Sequence, residues 1–175
     1  MAVNISVEHI PWQRLTASYA RGGEIPGLLE RRNYRELANL IEHQSTLWQA
    51  TPWVIHVLLE QLRQRGAKNV EPDEIGLYLA VASALEGKPL DAGDQVDDPA
   101  QLLSESYLWP ESDEEDEAAW EEEEPQGYDQ ASFFSYYYYS YLWLRQARPL
   151  LAAIRDNQPE HAESVSRLLK LLQAE

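Results

Sequence analysis

Apolar residues recur along most of this chain at the three- and four-residue spacing of α-helices. The clearest example runs from Thr51 to about Gln64, where a Thr-Pro pair marks the start and Gly66 follows the end. Apolar positions cover more than half of its circumference, which predicts a central, buried helix. No stretch alternates apolar and polar residues over a sustained length, so we expect no β-sheet.

The other predicted helices show the same spacing and the usual capping residues. Their expected starting points are Ser6 (for a helix through Tyr19), Pro26, Asn33, Pro72, Asp129, Pro149 and Pro159. Tight Gly or Pro turns join these short helices, which favours pairs that bury their apolar faces against their neighbours. We therefore predict an all-α fold, a short α-solenoid of antiparallel helix hairpins, in a single domain of residues 1–175.

Between residues 88 and 129 the helical pattern gives way to an acidic segment that is poor in aliphatic residues. Residues 91–130 hold 16 of the 30 acidic residues and no Lys or Arg. The rest of the chain has 14 acidic and 14 basic residues, so the net charge of −16 comes from this segment. Such a composition buries too little apolar surface to offset its ordering entropy. We predict a long acidic loop inserted over 88–129, with one short helix around Leu102–Leu108.

Composition also excludes several classes of function. The chain has no Cys, which rules out disulfides, Cys-ligated zinc and thiol nucleophiles. The acidic charge disfavours nucleic acids and anionic membranes as partners, because clustered Lys and Arg are needed to neutralise phosphates. No apolar run reaches the roughly 18 residues of a membrane helix, and the N-terminus lacks the features of a signal peptide. We therefore expect a cytoplasmic protein.

The chain also lacks the motifs of catalysis and of cofactor or metal binding. It contains no nucleophile elbow, phosphate loop or dinucleotide fingerprint. The aspartates between residues 91 and 98 lack the central Gly and the final Glu of a calcium-binding loop. His43 is expected to hydrogen-bond the turn at Ser45 and Thr46. We predict that the protein is not an enzyme and that it binds neither a cofactor nor a metal ion.

Several short motifs follow one another between residues 10 and 86. They are Pro11-Trp12, Leu15, Tyr19-Ala20, Ile25-Pro26, Leu28-Leu29, His43-Gln44-Ser45-Thr46, Leu47-Trp48 and Ala50-Thr51. In this order they resemble the opening of bacterial HEAT-like repeat proteins, and residues 142–173 are similar to a later repeat of that family. Ser45 stands where the family carries Gly. The resemblance implies a helical-repeat fold, and many family members resemble immunity proteins encoded beside secreted toxins.

Two aromatic-containing regions are candidates for binding a partner. Ten of the fourteen residues in Glu111–Glu124 are acidic, and Trp109 and Trp120 lie in or beside this run. The run is either a solvated loop or an anionic surface for a basic partner, and the Trp residues are an argument for the second. The Phe133–Trp143 stretch carries aromatic residues on several helix faces. Its Tyr side chains either complete an aromatic core or form an exposed contact surface.

The leading hypothesis is an immunity protein that binds a cognate toxin, a basic protein, and occludes its active site or substrate groove. The alternative is a HEAT-like scaffold or adaptor in which the acidic segment is a solvated loop. The candidate partner-contact residues are Trp109, Asp113, Glu114, Glu115, Asp116, Glu117, Trp120, Glu121, Glu122, Tyr136 and Tyr139.

Overall fold

The computed structural model describes residues 4–19, 21–90, 93–111 and 130–173. This part of the chain is mainly helical, which confirms the all-α prediction. Its α-helices are α1 (Ile25–Glu30), α2 (Tyr34–Ile41), α3 (Ala50–Arg65), α4 (Pro72–Ala84), α5 (Gln130–Gln146), α6 (Arg148–Asn157) and α7 (Ala162–Leu171). No helix in the described ranges is long and apolar enough to cross a membrane.

Helix α3 is buried around most of its circumference, as its apolar pattern predicts. Trp53, Ile55 and Leu58 are completely inaccessible, and one side of the helix packs along α5. The Thr51 hydroxyl lies inside the first turn, where it donates to the Ile41 carbonyl at 2.5 Å and accepts from the Trp48 N–H at 2.8 Å. The bond to Ile41 joins the start of α3 to the end of α2, and the bond from Trp48 caps the first turn of α3.

Helix α4 is the second centre of packing. Helices α2 and α7 lie against α4, and α6 lies against α7. The loop between α3 and α4 is fixed to the loop between α6 and α7, because the Val70 N–H donates to the Gln158 side chain at 2.9 Å. The Val70 carbonyl also lies 2.8 Å from His161 Nε2. These bonds join the middle of the chain to its C-terminal helices, and both contribute to one hydrophobic core.

The N-terminal segment is not the helix that its apolar spacing predicts. It forms two 3-10 turns, Val7–His9 and Trp12–Arg14, followed by a single β-bridge between Thr16 and Arg21. The residue before a proline is disfavoured in the helical region, and Ile10, which precedes Pro11, is extended, with φ −87° and ψ 124°. The prediction of one helix from Ser6 to Tyr19 is therefore wrong.

A short β-hairpin is also present, although no sheet was expected. Strands β1 (Glu42–His43) and β2 (Thr46–Leu47) are antiparallel and are joined by Gln44 and Ser45. Both turn residues are left-handed, with φ of 50° and 65°, as a two-residue hairpin turn of type I′ requires. The Glu42 carboxylate accepts from the Ser45 N–H at 2.8 Å. The side chain that stabilises the turn is therefore Glu42, whereas we had predicted His43.

This turn offers a test of local backbone strain. Left-handed backbone costs a residue with a side chain about 1–2 kcal/mol, whereas Asn and Gly tolerate it. Changing Gln44→Asn together with Ser45→Gly is expected to raise the free energy of unfolding by about 1 kcal/mol. The midpoint of thermal unfolding should then rise by about 2–4 °C.

The control for this prediction is the opposite change at a glycine. Gly66 ends α3 with φ +80°, and a side chain added there would meet no neighbouring atom. Gly66→Ala should therefore lower the melting temperature through the backbone alone. Equal melting temperatures for the Asn-Gly variant and the parent chain would show that the turn is unstrained.

The first part of the predicted acidic loop is packed against the helices. A 3-10 helix, Pro99–Leu103, replaces the short helix expected around Leu102–Leu108. Leu102 and Leu108 are buried, and the Val96 N–H donates to the Ser135 hydroxyl of α5 at 3.0 Å. Residues 112–129, which include most of the acidic run, lie outside the described ranges.

Candidate partner-binding site

The chain just before the acidic run is joined to the N-terminal segment through Arg14. Its two terminal nitrogens donate to the two carboxylate oxygens of Glu105 at 2.7 and 2.8 Å, and its Nε donates to the Trp109 carbonyl at 2.7 Å. The Trp109 N–H donates back to the Arg14 carbonyl at 3.0 Å. Paired bonds of this kind fix orientation as well as distance. They hold residues 105–109 in one position on the N-terminal segment.

The Arg14–Glu105 pair also affects the ionisation of Glu105. The hydrogen bond and the positive charge of Arg14 lower the pKa of the Glu105 carboxyl. Glu105 is therefore ionised throughout the neutral range. Its side chain is 80% exposed, so solvent screens the pair and its main effect is on geometry.

Arg21 provides a second attachment next to the acidic run. It donates to the Pro110 carbonyl, and Glu111, the next residue, lies 3.9 Å from Arg14. Both arginines and Glu111 line an open cleft of about 560 Å³ whose other walls include Trp12 and Pro26. The first residue of the acidic run therefore has a defined place at the edge of this cleft.

Gln49 connects three parts of the chain at the base of this region. Its side-chain oxygen accepts from the Thr16 N–H at 3.0 Å. Its nitrogen donates to the Tyr107 carbonyl at 2.7 Å and to the Tyr136 hydroxyl at 3.2 Å. Gln49 is only 2% exposed, and buried polar groups need such partners. Gln49 thus links the N-terminal segment and residues 105–109 to α5.

Three of the predicted contact residues are buried in the core. Trp109, Tyr136 and Tyr139 are 2%, 1% and 4% exposed, respectively. Their predicted exposure on a contact surface is wrong, because each side chain is almost inaccessible to solvent and both Tyr hydroxyls have internal partners. Tyr139 donates to the Val96 carbonyl, and Tyr136 receives the Gln49 amide. A satisfied hydroxyl removes the cost of burying Tyr.

The environment of Tyr139 agrees with this internal position. Burial raises the pKa of its hydroxyl to about 12, and Tyr138 and the carboxylates of Asp98 and Asp97 act in the same direction. The hydroxyl is therefore protonated, as its hydrogen bond to Val96 requires. The aromatic stretch of α5 supplies core side chains at these positions.

The other predicted contact residues lie outside the described part of the chain. They are Asp113, Glu114, Glu115, Asp116, Glu117, Trp120, Glu121 and Glu122. Their role in binding stays a prediction. The structure describes only the residue at which this run begins, Glu111 beside Arg14, and the helix that starts after the segment at Gln130.

The described histidines do not form a metal site. No group of three or more His, Asp or Glu side chains in the described ranges is arranged to hold a metal ion. His56 lies in the core between Trp53 and Trp143, with its ring centre 6.1 and 5.0 Å from theirs. Burial lowers the pKa of His56. His56 is therefore a neutral core side chain at neutral pH.

A buried carboxylate outside the acidic segment joins α3 to α4. Glu74 is 0% exposed and accepts two hydrogen bonds from Arg65 at 2.7 and 2.9 Å. The Tyr78 hydroxyl donates to the same carboxylate at 2.7 Å. Burial and then the charge of Glu74 raise the pKa of Tyr78 well above its usual value. The three side chains form an internal hydrogen-bonded cluster that joins the end of α3 to α4, which indicates a structural role.

The sequence patterns did not single out the pair formed by Tyr19 and His43. Tyr19 is 70% exposed, and it is the single large apolar side chain in the described residues that is mainly exposed. Its hydroxyl lies 3.1 Å from His43 Nδ1, and the two rings meet edge to face with centres 5.2 Å apart. The two residues are 24 positions apart, so only the tertiary fold brings them together.

No protein-family model, curated protein or solved structure matches this chain.

Proposed function

We propose that this chain is an immunity protein of the cytoplasm, a HEAT-like helical solenoid that neutralises a basic toxin by covering its active site or substrate groove. The observation that carries the proposal is the placement of the acidic charge. The whole net charge lies in one segment, and its run Glu111–Glu124 starts at a point that Arg14 and Arg21 attach to the folded body.

A fixed starting point matters for the proposed docking step. Charges concentrated on one surface steer an oppositely charged partner and raise its association rate about 10–10³-fold. Glu111, the first residue of the run, lies beside Arg14 and Arg21, so the run begins at one face of the protein. The Trp120 side chain within the run adds an aromatic group of the type that dominates binding energy.

Two further features support the proposal. Short consecutive helices pack against each other in the pairs α1 with α2 and α6 with α7, as antiparallel helix hairpins do. The neutral remainder of the chain leaves the acidic segment as the main electrostatic feature. Inhibition by occlusion needs only tight binding, with no chemical step by this chain.

The test is to remove the charge while the length is kept. Replacing the ten acidic residues of Glu111–Glu124 by Gln and Asn is expected to slow association with the basic protein that co-purifies with this chain from its native host about 10–10³-fold at low salt. At high salt the neutralised and parent chains should associate at similar rates, because the attraction is then screened. The measurement is stopped-flow association together with protection of cell growth.

The matched control keeps the charge and changes the order. A chain with the same fourteen residues in scrambled order should associate about as fast as the parent chain, since steering depends on charge. An association rate and growth protection that survive neutralisation at low salt would rule out acidic docking. Absence of a toxin partner, with an adaptor role in a housekeeping complex, would favour the scaffold alternative.

A further inference from the structure

We propose that Tyr19, supported by His43, is the contact point for an arginine side chain of the basic partner. This inference rests on the proposed function, because it assumes that a cationic protein is drawn to the acidic run. It assigns the aromatic anchor of that interface to a residue other than the buried Trp109, Tyr136 and Tyr139.

The backbone around Tyr19 is held in place before any partner arrives. The Ser18 N–H donates to the Leu40 carbonyl at 2.8 Å, and the Ser18 hydroxyl donates to the Asn39 carbonyl. The bridge between Thr16 and Arg21 closes the small loop that carries Tyr19. An exposed aromatic ring on a fixed backbone loses little conformational entropy on binding, which favours affinity.

His43 holds the Tyr19 ring from the neighbouring β-hairpin. The hairpin is itself supported by α5, since the Tyr137 hydroxyl accepts from the Leu47 N–H at 3.1 Å and donates to the Ser45 carbonyl at 3.3 Å. His43 is therefore in a defined position when it meets the Tyr19 hydroxyl at 3.1 Å. Two independent loops thus fix one exposed ring.

The small loop that carries Tyr19 also holds the start of the acidic run. Arg21, at the other end of the Thr16–Arg21 bridge, donates to the Pro110 carbonyl, and Glu111 follows directly. The first residue of the acidic run therefore lies beside the loop of Tyr19, and we expect a cationic partner that is attracted to the run to meet this loop. Electrostatic capture and aromatic contact would then act on the same partner surface.

Arginine is the side chain that fits this arrangement best. The face of a Tyr ring is electron-rich and attracts cations, and the nearby acidic run selects a partner that carries them. Guanidinium is planar and more weakly hydrated than the lysine ammonium, so it stacks on an aromatic face at lower desolvation cost. Tyr19 is 70% exposed, which leaves ring surface open for such a contact.

The test uses two labelled peptides, deca-arginine and deca-lysine, with fluorescence polarisation at low ionic strength. Tyr19→Leu, which keeps apolar area but removes the ring, is expected to weaken binding of deca-arginine about two- to fivefold. Tyr19→Phe keeps the ring and its edge-to-face contact with His43 but loses the hydroxyl contact, so it should lose less affinity than Tyr19→Leu. The loss for deca-lysine should be smaller.

The outcomes separate this inference from the proposed function. If the parent chain binds neither peptide, acidic docking fails and the inference fails with it. If neutralising Glu111–Glu124 abolishes binding but Tyr19→Leu leaves it unchanged, only the inference is overturned. If Tyr19→Phe and Tyr19→Leu lose the same amount of peptide affinity, the contact lies at the hydroxyl and the ring-stacking inference is overturned. If Tyr19→Leu loses the same affinity for both peptides, the preference for arginine is overturned. Thermal unfolding checks that each variant is folded.

Discussion

Replacing Trp109 with Ala is expected to lower the free energy of unfolding by about 3–5 kcal/mol and the melting temperature by about 6–20 °C. Trp109 is 2% exposed, so its removal leaves a large internal cavity that the neighbouring segments fill only in part. Thermal or urea unfolding followed by circular dichroism measures the change.

Two controls show whether the loss comes from core packing. Trp109→Phe keeps part of the volume and should cost clearly less than Trp109→Ala. Tyr19→Ala removes an aromatic ring that is mainly exposed, and it should change stability by no more than about 0.5 kcal/mol.

The same variant also separates core packing from partner contact at Trp109. Below its melting temperature, Trp109→Ala should retain the partner affinity of the parent chain, because Arg14 still holds Glu105 and the main chain of residue 109. Unchanged stability with lost partner affinity would contradict the core assignment and return Trp109 to the binding surface.

The second large effect is expected at Glu74. Glu74→Ala removes the carboxylate that accepts from Arg65 and from the Tyr78 hydroxyl. Breaking one side of a buried ion pair leaves the other charge and its hydrogen-bond donors without partners, and this typically costs about 3–5 kcal/mol. Denaturant unfolding should show a lower midpoint with a similar slope.

The matched control for Glu74 is an exposed ion pair on the same helix as Arg65. Glu60 accepts from Arg63 at 2.6 Å, and Glu60→Ala should cost no more than about 1 kcal/mol. Replacing Glu74 and Arg65 together by Leu and Met should recover much of the loss, since no unpaired charge then remains. Similar costs for Glu60→Ala and Glu74→Ala would show that burial adds nothing to the Glu74 interaction.

Local sequence signals predicted the long helices well. The stretch from Thr51 to Gln64 has helical spacing, a Thr-Pro start and a following Gly, and α3 occupies Ala50–Arg65. Pro72 opens α4, and the Asn33 side chain accepts from the Glu36 N–H at the start of α2. These signals involve residues within one or two turns of each other, so the sequence alone is sufficient.

Helical spacing was misleading where distant groups determine the backbone. The segment around Ser18 is not helical, and its hydrogen bonds go to carbonyls at the end of α2. The β1–β2 hairpin has only two residues per strand, which is too short for an alternating pattern. Distant groups take part in both places, the end of α2 at Ser18 and the Tyr137 hydroxyl at the hairpin, and the local pattern carries no sign of them.

The sequence by itself determined the helical class and the confinement of the net charge to residues 91–130, because both depend on residue order and composition alone. Only the tertiary structure decided which aromatic side chains are buried. Tyr139 is internal because its hydroxyl reaches Val96, and Tyr19 is exposed because its loop is held at the end of α2. Burial depends on which distant segments surround a side chain, and residue type and helical position do not specify those neighbours.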